Sequence, residues 1–210
     1  IAFNDRYHWD KIVKRSLKRL ALVNQELYNE HLLNLLDHTT EKELNDGQRT
    51  FKLSEVGNEL RLNEFEFDFS VKPFQSQAIK QLSTPEVPFH LRNFDQLEGM
   101  MNGKIDLFFE HAGKYYILDW KSNFLGDRVE DYSKEKVWEA MDENNYHLQY
   151  HIYTIAVCKY LKMRKPDFNY ETDFGGVFYL FLRGVRKDGN FGVFFHKPAY
   201  SIIDQLSLHF

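Results

Sequence analysis

Apolar and polar positions change period several times along this chain, and each change marks an element. Over residues 8–22, Trp9, Ile12, Val13, Leu17, Leu20 and Ala21 recur at helical spacing, with Lys11, Lys14, Arg15, Lys18 and Arg19 on the opposite face. That basic face fits either a solvated helix surface or a contact with a nucleic-acid backbone. A second helical stripe runs through Leu27, Leu32, Leu33, Leu35 and Leu36, and residues 38–50 are polar and loop-like. Between 59 and 71 the period drops to two. Phe65, Phe67, Phe69 and Val71 alternate with Glu64, Glu66, Asp68 and Ser70, which predicts a half-buried strand. Its acidic side is either the solvated face of an edge strand or a source of one carboxylate for a site. Residues 72–102 hold Pro73, Pro85 and Pro88 and read as a connection with a lead-in strand near Leu97–Met101.

The chain is organised around 103–123. Ile105–Phe109 and Tyr115–Trp120 are rich in β-branched and aromatic residues, and His111-Ala112-Gly113-Lys114 between them reads as a hairpin loop. Whether two or four residues form that loop, Asp106 falls opposite Asp119. Facing Cβ atoms in a hairpin are about 4.5–5.5 Å apart, so two carboxylates there require a cation or a proton between them. Side chains alternate along a strand, so Asp119 and Lys121 share a face. The stretch predicts two carboxylates and an ammonium converging on one sheet face.

Beyond the hairpin, Ser122–Tyr132 is a loop expected to lie over that site. Helices are predicted for 134–143 and 146–162. On the second helix Gln149, Tyr153, Ala156 and Tyr160 share one face, either bridging core and solvent or bordering the site. Residues 175–185 read as a buried strand, 191–195 as its hairpin partner across Lys187–Asn190, and the last ten as a weak helix. The order predicts an α/β domain with a mixed sheet.

Composition narrows the chemistry. The 210 residues suffice for a sizeable core, and no run approaches the roughly 20 apolar residues of a membrane span. The single cysteine, Cys158, excludes disulfides within the chain and a four-cysteine cluster, and it fits a reducing, cytoplasmic setting. A net charge of −4 counts mildly against a stand-alone nucleic-acid binder, less so if metal ions hold an acidic cluster together. No phosphate-binding loop, nucleophile elbow or zinc-protease motif is present. Asp and, on the next strand, Asp-x-Lys suit metal-assisted phosphodiester hydrolysis: hard carboxylate oxygens for Mg²⁺, and a lysine to orient water and stabilise a pentacoordinate phosphate. Read alone, the same three residues also make a salt-bridged hairpin.

Gly103-Lys-Ile-Asp106, Ile117-Leu-Asp119-Trp-Lys121-Ser-Asn-Phe-Leu-Gly126, Tyr146-His-Leu-Gln-Tyr150 with Tyr153, and Phe174–Val185 together resemble the PD-(D/E)xK nucleases of the RecB type. The likeness covers roughly 59–200 well and 1–58 loosely. It implies a restriction-endonuclease-like core, a mixed central sheet flanked by helices, over 59–210, with a helical part over 1–58. It implies Mg²⁺ (one or two ions, Mn²⁺ able to substitute) and DNA cleavage in double-strand break repair and degradation of linear DNA. Asp106 and Asp119 become metal ligands with the Trp120 carbonyl, Lys121 the catalytic lysine, Glu64 rather than Glu66 a further acidic member, and Gln149 and Tyr153 part of the motif after the core. Implied partners are RecC-like and RecD-like subunits and helicase domains of the same parent chain. The family's upstream metal-binding His, in a G-T-x-x-H-like helix start, has no counterpart in the contexts of His8, His31 or His38. The chain is therefore expected to be a fragment whose missing His precedes Ile1, and this puts metal binding and cutting by the fragment alone in question. The competing expectation is a nuclease-fold module that binds or docks without cutting.

Overall fold

A computed structural model describes residues 2–20 and 24–210. Two helices open the chain, α1 (Arg6–Arg19) and α2 (Gln25–Glu41). The predicted stripe falls on α1 and buries Trp9, Val13 and Leu17; its last member, Ala21, lies outside the described residues. The stretch 38–50, expected to be loop, finishes α2 and then forms a hairpin, β1 (Glu43–Asn45) and β2 (Thr50–Lys52). Its turn is built by side chains: Asn45 Oδ1 accepts from the Gly47 N–H, and Asp46 Oδ1 accepts from the N–H groups of Gln48 and Arg49. With one core residue per strand, Leu44 and Phe51, the hairpin has no readable alternation.

The main sheet has the order β3-β4-β5-β6-β7, from β3 (Arg61–Phe74), β4 (Leu97–His111), β5 (Lys114–Lys121), β6 (Phe174–Phe181) and β7 (Val193–His196). A short α3 (Ser76–Lys80) follows β3; α4 (Lys134–Glu143) and α5 (Tyr146–Arg164) carry the crossover from β5 to β6, a short α6 (Tyr170–Asp173) leads into β6, and α7 (Tyr200–Ser207) closes the chain. Because of that helical crossover β5 and β6 run parallel, while the other neighbours are antiparallel. This is a restriction-endonuclease-like α/β architecture.

Each face of the sheet has its own core. One holds Ile105, Phe108, Ile117, Val177 and Tyr179 against α5 residues such as Tyr153 and Val157. The other packs Leu107, Phe109, Tyr116, Leu118, Phe178 and Leu180 on the hairpin residues Leu44 and Phe51, so the N-terminal part shares a core with the sheet. The lead-in strand and the first hairpin strand are one continuous β4. Gly103 does not interrupt it; a Cβ there would lie 2.4 Å from the Phe67 ring, which occupies that space.

The turn between β4 and β5 has two residues, Ala112 at φ 50° and Gly113 at φ 77°. Both are left-handed, as a twisted two-residue hairpin demands. It pairs His111 with Lys114, and the predicted register then holds through Leu107↔Leu118.

Candidate active site

Next to the predicted aspartates the two strands part. Pairing of β4 with β5 ends at Leu107↔Leu118, whereas β5 stays paired with β6 through Lys121↔Phe181. The Trp120 N–H, which would have continued the ladder, donates to Asp106 Oδ2 at 2.9 Å. A residue in a strand points its N–H and C=O the same way, so the Trp120 carbonyl also faces the opening.

A break in side-chain alternation creates this arrangement. Ile105 and Phe108 belong to the α5-facing core although three positions separate them, and Leu107 and Phe109 belong to the other. Strict alternation would put Ile105 on Leu107's side, so the phase slips at Asp106. The neighbouring strand slips at the same level: Leu62 pairs with Phe108 and Phe65 with Ile105, while Glu64 between them adopts φ 53°. Because both strands slip together their register survives, and Asp106 is released to reach the β5 backbone.

Asp119 and Lys121 lie on the α5 face, both buried. Their side chains form an ion pair of 2.7 Å. The ammonium also donates to Gln149 Oε1 at 3.0 Å and sits over the Tyr146 ring at 3.8 Å and the Tyr179 ring at 4.8 Å. Gln149 makes two further hydrogen bonds: its Oε1 also accepts from the Tyr179 hydroxyl (2.9 Å), and its Nε2 donates to the Tyr153 hydroxyl (3.1 Å). Burial pushes the Asp119 carboxyl up to about 6, opposed by Lys121 and reinforced by the nearby Asp106 charge. Burial also pushes the Tyr153 and Tyr179 hydroxyls up, with Asp119 adding to both.

The structure thus gathers Asp106, Asp119, Trp120, Lys121, Gln149 and Tyr153. It does not bring the Glu64 carboxylate to them. That side chain is 74% exposed and, with Glu66, pairs with Lys104 at 3.2 and 3.1 Å. Glu66 and Asp68 lie on the solvated side of β3, an edge strand. Among the described residues no three His, Cys, Asp or Glu side chains converge as a metal-binding group. Hard oxygens are nevertheless at hand in Asp106, Asp119 and the Trp120 carbonyl. A buried carboxyl held near 6 beside a second carboxylate is a site whose negative charge the protein leaves partly uncompensated, which suits a divalent cation.

Tyr146 and Tyr179 are site residues that motif reading overlooked. Tyr146 had a signal, since it precedes Gln149 by three and Tyr153 by seven and so shares their helix face. Tyr179 lies in a strand buried on both faces and has no such signal. The predicted loop does border the site: the Tyr146 hydroxyl donates to Asn123 Oδ1, and the Leu125 N–H donates to the Tyr132 hydroxyl.

The fold and this cluster define the chain as a restriction-endonuclease-like domain with an Asp, Asp-x-Lys site where two strands part. No family model matches it. It is similar to RecBCD enzyme subunit RecB of Haemophilus influenzae, 35% identical over 207 residues that make up 97% of this chain and 17% of that protein. The same subunit of Buchnera aphidicola (from Acyrthosiphon pisum) is 38% identical over 72% of the chain and 13% of the relative, and that of Escherichia coli 46% identical over 52% and 9%. The chain belongs to the RecB family, of whose members it spans less than a fifth.

Proposed function

We propose that this chain is the DNA-cleaving segment of a RecB-type helicase–nuclease, hydrolysing phosphodiesters of linear DNA in double-strand break repair with Mg²⁺, for which Mn²⁺ can substitute. It works alongside RecC-like and RecD-like subunits and helicase domains of its parent chain. The observation that carries this reading is the gathering of Asp106, Asp119 and Lys121 where β4 leaves β5. The relatives' name, RecBCD enzyme subunit RecB, supports it.

Asp106, Asp119 and the Trp120 carbonyl would hold the cation, which when bound supplies an activated water and charge neutralisation on the phosphate. The chain's own residues do the positioning. Asp119, Gln149 and the Tyr146 ring fix the Lys121 ammonium in a place with little solvent, where it would donate to a phosphate oxygen as negative charge builds in the transition state. Gln149, itself held by Tyr153, gives that ammonium a second acceptor beside Asp119.

The test uses the parent protein on linear DNA with Mg²⁺. Lys121→Ala and Asp119→Ala are each expected to abolish degradation while ATP-driven unwinding persists. Degradation by Lys121→Ala at the wild-type rate would remove the assignment. Unwinding without degradation by the wild type would favour a docking module.

A further inference from the structure

Beyond the carboxyl ends of the parallel strands β5 and β6 lies a groove of about 410 Å³, lined by Tyr28, His31 and His38 of α2 and by Leu182, Arg183 and Arg186 after β6. We propose that this groove, together with the exposed ring of Phe124, carries single-stranded DNA to or from the Lys121 site; the proposal rests on the nuclease reading above.

Four observations support it. The groove adjoins the backbone that carries the site: the Leu182 N–H donates to the Lys121 carbonyl at 2.9 Å, and Arg183 Nε donates to the carbonyl of Ser122 at 3.0 Å. Its charge has one sign. No carboxylate lines it, although the chain carries 31 acidic residues, and among the described residues neither Arg183 nor Arg186 forms an ion pair with a carboxylate. Arg186 instead donates to the carbonyls of Arg183 and Val185, so both guanidiniums are anchored by backbone and free to meet phosphates. Flat apolar surfaces accompany it: Tyr28 in its lining is 45% exposed, and outside the lining Phe124 is 63% exposed with the Arg183 guanidinium 5.8 Å from its ring centre. A positive track with aromatic platforms is the combination that binds unpaired bases, which present both a phosphate and a π-face. Finally, ligands of α/β sheets collect at the carboxyl ends of parallel strands.

The experiment measures fluorescence anisotropy of a labelled oligothymidylate, and of a duplex of equal length, with this chain in EDTA, so that no cleavage intrudes. The chain is expected to bind the single strand more tightly than the duplex. Arg183→Gln with Arg186→Gln should weaken that binding at least tenfold and reduce the slope of log K against log salt by about 1.4, the value for two lost phosphate contacts on a single strand. Phe124→Ala, whose exposed ring has no packing role to lose, should weaken it roughly tenfold, and Arg183→Lys should restore part of the affinity that Arg183→Gln loses. Equal binding by wild type, Phe124→Ala and the double variant, or a preference for duplex, would overturn the proposal. The two readings fail separately: the groove is judged by single-strand binding of the arginine and Phe124 variants in EDTA, where nothing is cut, and the nuclease reading by degradation in the parent protein with Mg²⁺.

Discussion

Lys121 Nζ and Asp119 Oδ2 lie 2.7 Å apart with both side chains nearly sealed from solvent. The pair is asymmetric in its support: Gln149 and the Tyr146 ring also serve the lysine, while Asp119 faces a second carboxylate. Removing the lysine therefore exposes the weakness of the other partner. Lys121→Ala should destabilise the chain by about 3 kcal/mol at pH 8, where Asp119 is left as an unpaired buried anion. The loss should shrink at pH 5, where Asp119 takes up a proton. Urea unfolding at the two pH values measures both, and Lys121→Ala with Asp119→Asn should lose less than the single changes combined.

The Asp119 carboxyl also gives a pH signature. Its folded-state value of about 6 lies above the ordinary 3.8, so the folded chain binds the extra proton. The associated stability is present in full below about pH 4 and is lost as pH rises through 6, about 3 kcal/mol in all. Asp119→Asn should abolish this contribution. The readout is the difference between the unfolding free energies of wild type and variant across pH 4–7, without metal.

Two buried histidines work in the opposite sense. Burial lowers His147 to about 4 and His151 to about 3. Folding with neutral rings is favoured above the ordinary 6.5, and that stability is lost as pH falls through 4 and then 3. The chain should unfold in mild acid. His151→Asn should flatten the acid limb of a plot of stability against pH, even where packing loss lowers the whole curve.

Gln149 makes three hydrogen bonds among Lys121, Tyr153 and Tyr179. Gln149→Ala strands the Tyr179 hydroxyl, which is fully buried. The expected cost is roughly 1–3 kcal/mol in chemical denaturation. DNA degradation by the parent protein should fall about tenfold or more, in kcat rather than KM, because lysine placement matters most in the transition state.

At the hairpin tip, Ala112 adopts φ 50° without a glycine's freedom. Ala112→Gly should raise stability by about 0.5–1 kcal/mol, a rise of a few degrees in Tm by thermal unfolding, because it relieves the clash between Cβ and carbonyl in that region. A fall in Tm would show that the turn is not left-handed at both positions.

Several of these features could be read from residue order. Alternation from Phe65 to Val71, the turn at Ala112-Gly113 and the bounds of α4 and α5 are local signals, and the turn alone fixed which residues of β4 and β5 pair. The phase slip at Glu64 and Asp106 could not be read, because no glycine or proline marks it; packing on two opposite faces imposes it. It was the resemblance, not alternation, that put the Glu64 carboxylate at the site; it lies with Glu66 beside Lys104. Tyr179 was hidden in an apolar run, and the β1–β2 hairpin in a stretch whose turn is made by side chains. What stayed illegible depends on contacts between residues far apart in the chain.

The bond from the Trp120 N–H to Asp106 Oδ2 has a spectroscopic consequence. This amide is protected from exchange with solvent by a side chain, whereas its neighbours in β5 are protected by a backbone ladder. Anything that draws the Asp106 carboxylate away, whether a proton or a cation, would shift the Trp120 amide resonance and speed its exchange while leaving Ile117 and Leu118 unmoved. One peak in a ¹⁵N spectrum thus becomes a built-in indicator of what the carboxylates are holding.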